Sequence, residues 1–170
     1  MNREMVVLAK IVARCGVIAR EAWVKRTLEI GYNLNTRESE TMDFFTTLDA
    51  ELDNQLIKGI KNELGIMRFF TEEGAKNSEC NAIGGVRAVI DSLDGSSNFA
   101  TYRPDFGISV AIENDGKPIL GCIMTPVRGE LLVAGSGCGA WFLSCYDWSS
   151  KRITAALDVK NLVRVDTKAF

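Results

Sequence analysis

Residues 87–99 read Arg-Ala-Val-Ile-Asp-Ser-Leu-Asp-Gly-Ser-Ser-Asn-Phe, and this stretch says most about the fold and the chemistry of the chain. Its first four residues are β-rich and predict a strand that leads into two carboxylates, Asp91 and Asp94. Gly95 follows the second carboxylate, and the two serines after it are suited to opening a helix. Such a segment offers carboxylates to a hard cation and backbone N–H groups to a neighbouring anion. Phosphate chemistry with a divalent metal needs both features.

Two amphipathic helices are predicted before this stretch. The first is predicted to end at Gly31, Tyr32 and Asn33, and the second to start near Thr46 or Thr47 and to stop at Gly65. The first apolar stripe consists of Met5, Leu8, Val12, Cys15, Ala19 and Trp23, and the second of Leu48, Leu52, Leu56, Ile60 and Leu64.

Short strands dominate the rest of the chain. Residues 114–117, Asn-Asp-Gly-Lys, form a strong hairpin signal. Helices followed by hairpins predict an α+β fold with two N-terminal helices packed on an antiparallel sheet. We expect one metal- and phosphate-binding domain over residues 1–150, with residues 151–170 as the start of a second α/β half that is otherwise absent. Predicted strands are 67–70, 87–90, 107–113, 118–124, 131–134, 140–143 and 162–165.

Composition excludes several classes of function. The 170 residues contain no histidine, so Ser-His-Asp and Cys-His catalysis are excluded, as is imidazole metal ligation. A net charge of −2 indicates neither a general nucleic-acid binder nor a membrane-surface binder. Five scattered cysteines without a Cys-x-x-Cys pair favour reduced thiols and a cytoplasmic location. No uncharged apolar run is long enough for a signal peptide or a membrane span.

Five carboxylates are candidates for a magnesium site. Magnesium prefers oxygen ligands, and clustered carboxylates without a counter-charge repel each other, so a cation would resolve the cluster. Each candidate also has a plainer interpretation, because Asp-Gly-Ser-Ser-Asn is ordinary turn chemistry and Glu-Glu pairs are usually solvated. The aspartate near the start of the second helix would compensate the helix dipole. The candidates are Asp49, Glu72, Glu73, Asp91 and Asp94.

Three acidic segments occur in a set order that resembles the inositol monophosphatase family. They are DFFTTLD at 43–49, TEE at 71–73 and DSLDGSSNF at 91–99. The similarity continues through FGISVA at 106–111 and GCIMTP at 121–126 and reaches GCGAWF at 137–142. The family belongs to the lithium-sensitive, magnesium-dependent sugar phosphatases, and its fold is a layered α/β/α/β/α sandwich that often forms dimers.

The resemblance implies a role for each matching residue. Glu72, Asp91, the Leu93 carbonyl and Asp94 would bind Mg²⁺. Catalysis would use Asp49, Glu72 and Ser96, with Asp49 orienting the attacking water through Ser96. The phosphate would lie against Gly95, Ser96 and Ser97. The implied reaction is hydrolysis of a small phosphomonoester, such as an inositol monophosphate, by metal-activated water.

Some positions depart from the family pattern. Ser92 stands where the family usually has proline, and Ser96 where it usually has threonine. Family members also carry a second α/β half, with a further metal-binding aspartate and most of the contacts to the substrate alcohol. The expected partners are therefore a small phosphorylated substrate and a second copy of the chain or a complementing C-terminal half. The alternative is a truncated, non-catalytic scaffold or interaction module that needs a partner chain.

Overall fold

The computed structural model describes residues 1–26, 30–32, 44–72, 84–147, 152–153 and 163–165. The helices are α1 (Arg3–Lys25), α2 (Thr47–Leu64) and α3 (Ser96–Ala100). The strands are β1 (Ile30–Tyr32), β2 (Phe44–Thr46), β3 (Phe69–Thr71), β4 (Val86–Asp94), β5 (Gly107–Asn114), β6 (Lys117–Thr125), β7 (Glu130–Gly135), β8 (Gly139–Ser144), β9 (Tyr146–Asp147), β10 (Arg152–Ile153) and β11 (Val163–Val165).

Seven strands form one sheet in the order β11-β8-β7-β6-β5-β4-β3. All neighbours in it are antiparallel except β3 and β4, which are parallel. The predicted α+β class with a mainly antiparallel sheet is confirmed. The β5–β6 hairpin turns where predicted, because Asp115 (φ 52°) and Gly116 (φ 76°) both take the left-handed conformation that a tight hairpin turn requires.

The predicted end of the first helix is wrong. The Asn2 side chain caps α1 by accepting the Met5 N–H at 2.9 Å. At the other end α1 stops at Lys25, because Arg26 takes a left-handed conformation with φ 53°. Gly31 and Tyr32, predicted to lie at the helix end, instead belong to a strand, Ile30–Tyr32, that pairs with Phe44–Thr46. Asn33 lies outside the described residues.

Both long helices pack on one face of the sheet and form the core with it. Close contacts fix α1 in place, since a Cβ on Gly16 would lie 2.2 Å from the Met124 sulfur. Likewise, a Cβ on Gly59 of α2 would lie 2.9 Å from Ile11, so the two helices approach closely. Neither of these helices, the longest in the described part of the chain, is apolar enough to cross a bilayer. The core includes Leu8, Val12, Leu52, Leu56, Ile60, Ile90, Ile108, Val110, Met124 and Leu131.

The opposite face of the sheet, called here the open face, carries several exposed apolar side chains. Ile123, Leu132 and Val163 are 51%, 45% and 60% exposed. Strand register places these three in one row across the sheet, and the same row begins at the acidic motif. The row runs Asp91, Ser109, Ile123, Leu132, Phe142, Val163.

Candidate metal and phosphate site

An irregularity in β4 positions the two aspartates of the motif. Asp91 is paired with Ser109 on β5, but Asp94 is paired with Gly107, so β4 has one residue more than its partner between them. This bulge brings the Leu93 N–H to the Asp91 carboxylate. Asp91 therefore lies on the open face, while Asp94 lies exposed at the strand end.

Glu72 reaches the same place from a different strand. Because β3 runs parallel to β4, its last residue, Thr71, lies beside Ile90. The Glu72 N–H then donates to the Ile90 carbonyl at 3.3 Å, and the Glu72 side chain hydrogen-bonds with Asp91. The structure thus joins Glu72 to the acidic motif. Glu73 lies outside the described residues.

Negatively charged side chains lie close together at the site. Burial, followed by the charges of Glu72 and Asp94, raises the pKa of Asp91 from 3.8 to about 6. Four ion pairs lie within the described residues, and none of them includes Glu72, Asp91 or Asp94. A divalent cation suits such an all-oxygen donor set. In the described part of the chain, however, no three carboxylates or thiols yet stand as an assembled metal site.

A pocket of about 410 Å³ opens beside these acids on the open face. Glu72 and Asp91 line it together with Ser109, and Phe70 and Val89 add apolar lining. Ser109, the cross-strand neighbour of Asp91, was not predicted from the sequence as a site residue. This pairing belongs to the register of β4 on β5, and no tight turn fixes that register because the two strands are joined through α3.

The segment after Asp94 turns sharply into α3. Gly95 has φ 83° and ψ 37°, a left-handed conformation that favours glycine. A Cβ at this position would lie 3.0 Å from the Asp105 carbonyl oxygen and 3.4 Å from the Phe106 Cα. As predicted, a helix opens at Ser96, with Ser97 exposed in its first turn.

Aromatic packing anchors this short helix. Phe99 is buried and packs edge-to-face on Phe106, with ring centroids 4.9 Å apart. Phe106 in turn contacts Trp23 of α1 at 6.4 Å between centroids, and the Asn98 side-chain amide donates to the Asp105 carbonyl at 2.6 Å. These contacts hold the Gly95 turn between α1 and the segment at 105–106.

Asp49 approaches the site from the helical layer. It lies in the first turn of α2 and is 3% exposed. Its backbone carbonyl accepts a hydrogen bond from the Ser92 hydroxyl at 3.3 Å. Since Ser92 lies between Asp91 and Asp94, this bond joins the first and third acidic segments.

Buried thiols are excluded as nucleophiles. Burial raises the pKa of Cys15 to about 12 and that of Cys145 to about 11, and it raises the pKa of Cys122 as well. A thiol with a raised pKa holds little thiolate at neutral pH and reacts slowly. These three thiols are therefore poor candidates for covalent catalysis.

Asp91 gives the metal-free protein a pH dependence with a definite sign. Because its pKa is raised on folding, the folded state holds a proton between about pH 4 and pH 6 that the unfolded state has lost. This group's contribution to the free energy of unfolding therefore falls as pH rises through that window. We expect Asp91→Asn to gain stability relative to wild type from pH 4 to pH 6, as measured by urea unfolding. A difference that shrinks with pH would contradict the assignment.

Comparisons of the sequence and of the fold with known proteins all lead to the same group of proteins. The profile of the inositol monophosphatase family matches residues 2–167. The Nus factor SuhB of Vibrio cholerae is 31% identical over 121 residues, which are 69% of this chain and 43% of that protein. The inositol-1-monophosphatase of Bacillus subtilis is 32% identical over 123 residues, which are 72% of this chain and 46% of that protein. The structure of an IMPase from Thermotoga maritima aligns with a TM-score of 0.65 at 26% identity, covering 79% of this chain and 48% of that one.

The chain thus spans less than half the length of these three relatives. Other structures of the fold, 18% to 21% identical and so alike in fold alone, are complexes with 2′AMP, with inositol monophosphate, with NADP and Ca²⁺, or an inhibitory complex soaked in LiCl. The family profile covers nearly the whole chain, including all three acidic segments and the sheet that positions them. The chain belongs to the inositol monophosphatase family.

Proposed function

We propose that this chain carries the metal- and phosphate-binding half of a Mg²⁺-dependent phosphomonoesterase. The observation that supports this most is the hydrogen bond between the carboxyl groups of Glu72 and Asp91 at the ends of two neighbouring strands, where burial and then the charges of Glu72 and Asp94 raise the pKa of Asp91 to about 6. A protein gains nothing in stability from such a cluster unless a cation occupies it. The turn at Gly95 sets the start of α3 directly beside these acids.

In this proposal Glu72, Asp91 and Asp94 hold Mg²⁺, with the Leu93 carbonyl as a further oxygen ligand. When bound, the ion supplies charge stabilisation to the phosphoryl oxygens and lowers the pKa of a coordinated water. The bulge in β4 supports these roles, because it directs the Leu93 N–H to Asp91 and frees the strand from regular pairing before Asp94. Histidine plays no part, since the chain has none.

The remaining residues bind phosphate and position water. The backbone N–H groups of Gly95 and Ser96 and the Ser97 hydroxyl would contact the phosphate. Asp49 would accept a hydrogen bond from the Ser96 hydroxyl, which in turn would orient the attacking water. Burial of Asp49 and its link to Ser92 support this role, because both restrict where its carboxylate can lie.

We propose a small phosphomonoester of the inositol monophosphate type as the substrate. Support comes from the inositol-1-monophosphatase of Bacillus subtilis among the relatives. The test is phosphate release from inositol monophosphate, fructose bisphosphate and adenosine 3′,5′-bisphosphate, with Mg²⁺ and with or without Li⁺. We expect release that needs Mg²⁺, falls with Li⁺ and disappears in Glu72→Gln, while Glu130→Gln, an exposed glutamate on β7, keeps it. No release from any substrate would contradict the proposal.

A second candidate function is that of an interaction module, and the open face favours it. The row from Asp91 to Val163 joins the acidic pocket to exposed Ile123 and Leu132, so whatever covers this face also closes the pocket. We propose that a second copy or a complementing C-terminal half binds here. We also propose that residues 1–150 bind the metal and the phosphate and that a second half begins in residues 151–170. The cytoplasm is the proposed location.

Charge placed on the open face should prevent association. We expect the chain to self-associate at micromolar concentration in sedimentation velocity, and Ile123→Lys with Leu132→Lys to shift it to monomer. Met67→Lys is the matched control, because Met67 is also exposed but lies between α2 and β3, off the sheet. A wild-type chain that stays monomeric and still hydrolyses phosphomonoesters would exclude the interaction-module alternative.

A further inference from the structure

Ser92 lies at the junction of the two layers that carry the candidate acids. It is 5% exposed, and it occupies the bulged part of β4 between Asp91 and Asp94. Strand alternation turns its side chain away from the open face and towards α2. There its hydroxyl donates to the Asp49 carbonyl at 3.3 Å, across 43 positions of sequence.

The hydrogen bond between the Ser92 hydroxyl and the Asp49 carbonyl is an additional bond to a carbonyl that already has a partner. The Asp49 carbonyl lies inside α2, where it accepts the regular helical bond from the N–H four residues later, and its second lone pair takes the Ser92 hydroxyl. If the Ser92 hydroxyl is removed, the Asp49 carbonyl therefore still accepts its helical hydrogen bond, and no buried donor is left without a partner. A bond of this kind adds little to stability but restricts how α2 can slide along β4.

We propose that Ser92 is a positioning residue, whose hydroxyl fixes the first turn of α2 against the acidic motif so that Asp49 stands at a set place relative to Asp91 and Asp94. This role rests on the proposed function, in which Asp49 acts on the water through Ser96. Asp91 and Asp94 are three positions apart in the sequence, so the backbone keeps them near each other. Asp49 belongs to a separate helix and needs a tertiary contact to hold it in place. The apolar contacts between α2 and the sheet have no preferred direction. A hydrogen bond does have one, so it can fix where α2 lies along the sheet.

The chemistry at this position explains what serine adds. Proline, usual here in the family that the chain resembles, stiffens the backbone between two acids but has no donor. Serine gives up that stiffness and supplies a hydroxyl that reaches the neighbouring layer. Misplacement of a reacting group by about 1 Å reduces rates by roughly 100-fold, so a partly relaxed α2 should lower kcat more than it lowers binding.

The test compares Ser92→Ala with Ser92→Thr, which keeps the hydroxyl. The control is Ile60→Val, which loosens the packing of α2 on the sheet without touching the hydroxyl, since Ile60 is buried in the same helix. We measure kcat and KM for Mg²⁺-dependent phosphate release from inositol monophosphate, Tb³⁺ affinity by luminescence, and thermal unfolding. Ser92→Ala should lower kcat at least tenfold, with KM and Tb³⁺ affinity within twofold of wild type. Ser92→Thr should restore kcat to within threefold, and Ile60→Val should keep kcat within twofold.

Two results would overturn the role of Ser92. One is a kcat for Ser92→Ala within twofold of wild type, and the other is an equal loss of kcat in Ile60→Val. A wild-type chain without turnover contradicts the proposed function and not the role of Ser92. In that case hydrogen exchange alone tests whether the Ser92 hydroxyl holds the first turn of α2. Faster exchange in Ser92→Ala at the amides of Leu52 and Asp53, with no change near the end of α2, supports it, and unchanged exchange at both overturns it.

Discussion

Asp91→Asn should abolish the response of this protein to divalent metal. Residues that only support metal ligands cost 10- to 100-fold in affinity or activity when replaced, so loss of a direct ligand should reduce Mn²⁺ affinity and Mg²⁺-dependent phosphate release by about 100-fold or more. Asparagine keeps the shape of the side chain and removes its charge. It therefore also removes a carboxyl group whose pKa is raised by burial and then by the charges of Glu72 and Asp94. The metal-free variant should be at least as stable as wild type at pH 7, while the increase in Tm that Mn²⁺ causes should vanish.

The matched control is Asp115→Asn, the same chemical change at the other end of the sheet. Asp115 lies in the β5–β6 turn, where its carboxylate accepts the Gly85 N–H at 2.6 Å and where asparagine is also well tolerated. Calorimetric titration with Mn²⁺ should give wild-type affinity for this control. Equal Mn²⁺ affinity in Asp91→Asn and wild type would refute the metal assignment.

Gly95→Ala should remove most of the activity at a moderate cost in stability. Alanine in the left-handed conformation costs about 1–2 kcal/mol, and its Cβ would lie 3.0 Å from the Asp105 carbonyl oxygen. The segment at 105–106 or the start of α3 must move to relieve that contact. Because the proposed phosphate contacts are the N–H groups of Gly95 and Ser96, we expect phosphate release to fall by roughly 100-fold.

Gly116→Ala separates backbone strain from the contact at the site. Gly116 has a similar φ of 76°, but nothing lies within 4 Å of the position a Cβ would take. Both variants should lose stability in thermal unfolding, Gly95→Ala more than Gly116→Ala because of its contact with the Asp105 carbonyl oxygen, and only Gly95→Ala should lose phosphate release. If both variants or neither lost activity, the turn at Gly95 would have no special role.

Features written locally in the sequence were predicted well. The Asp-Gly pair defines the β5–β6 hairpin, because few residues other than glycine, asparagine and aspartate accept a left-handed conformation. The apolar stripe of the second helix likewise fixes its bounds between Thr47 and Gly65. The acidic motif at the end of β4 was also found from sequence, since a strand that ends in Asp-x-x-Asp-Gly combines turn chemistry with possible cation ligands.

Features that depend on contacts between distant residues were missed. The first helix was predicted too long because the left-handed Arg26 carries no strong local signal. The pairing of Ile30–Tyr32 with Phe44–Thr46 is likewise set by a partner strand. The Ser92 hydroxyl bond to Asp49 depends on how α2 lies on β4, and 43 positions separate the two residues. Ser109 lies at the site only because the register of β5 on β4 pairs it with Asp91.

Anomalous scattering from a crystal grown with Mn²⁺ tests the central claim most directly. We expect a peak at roughly 2 Å from carboxylate oxygens of Asp91, with Glu72 and Asp94 as the other carboxylate ligands, beside the turn at Gly95. A map without a peak at this place under saturating Mn²⁺, with Glu72 and Asp91 still sharing their hydrogen bond, would contradict it.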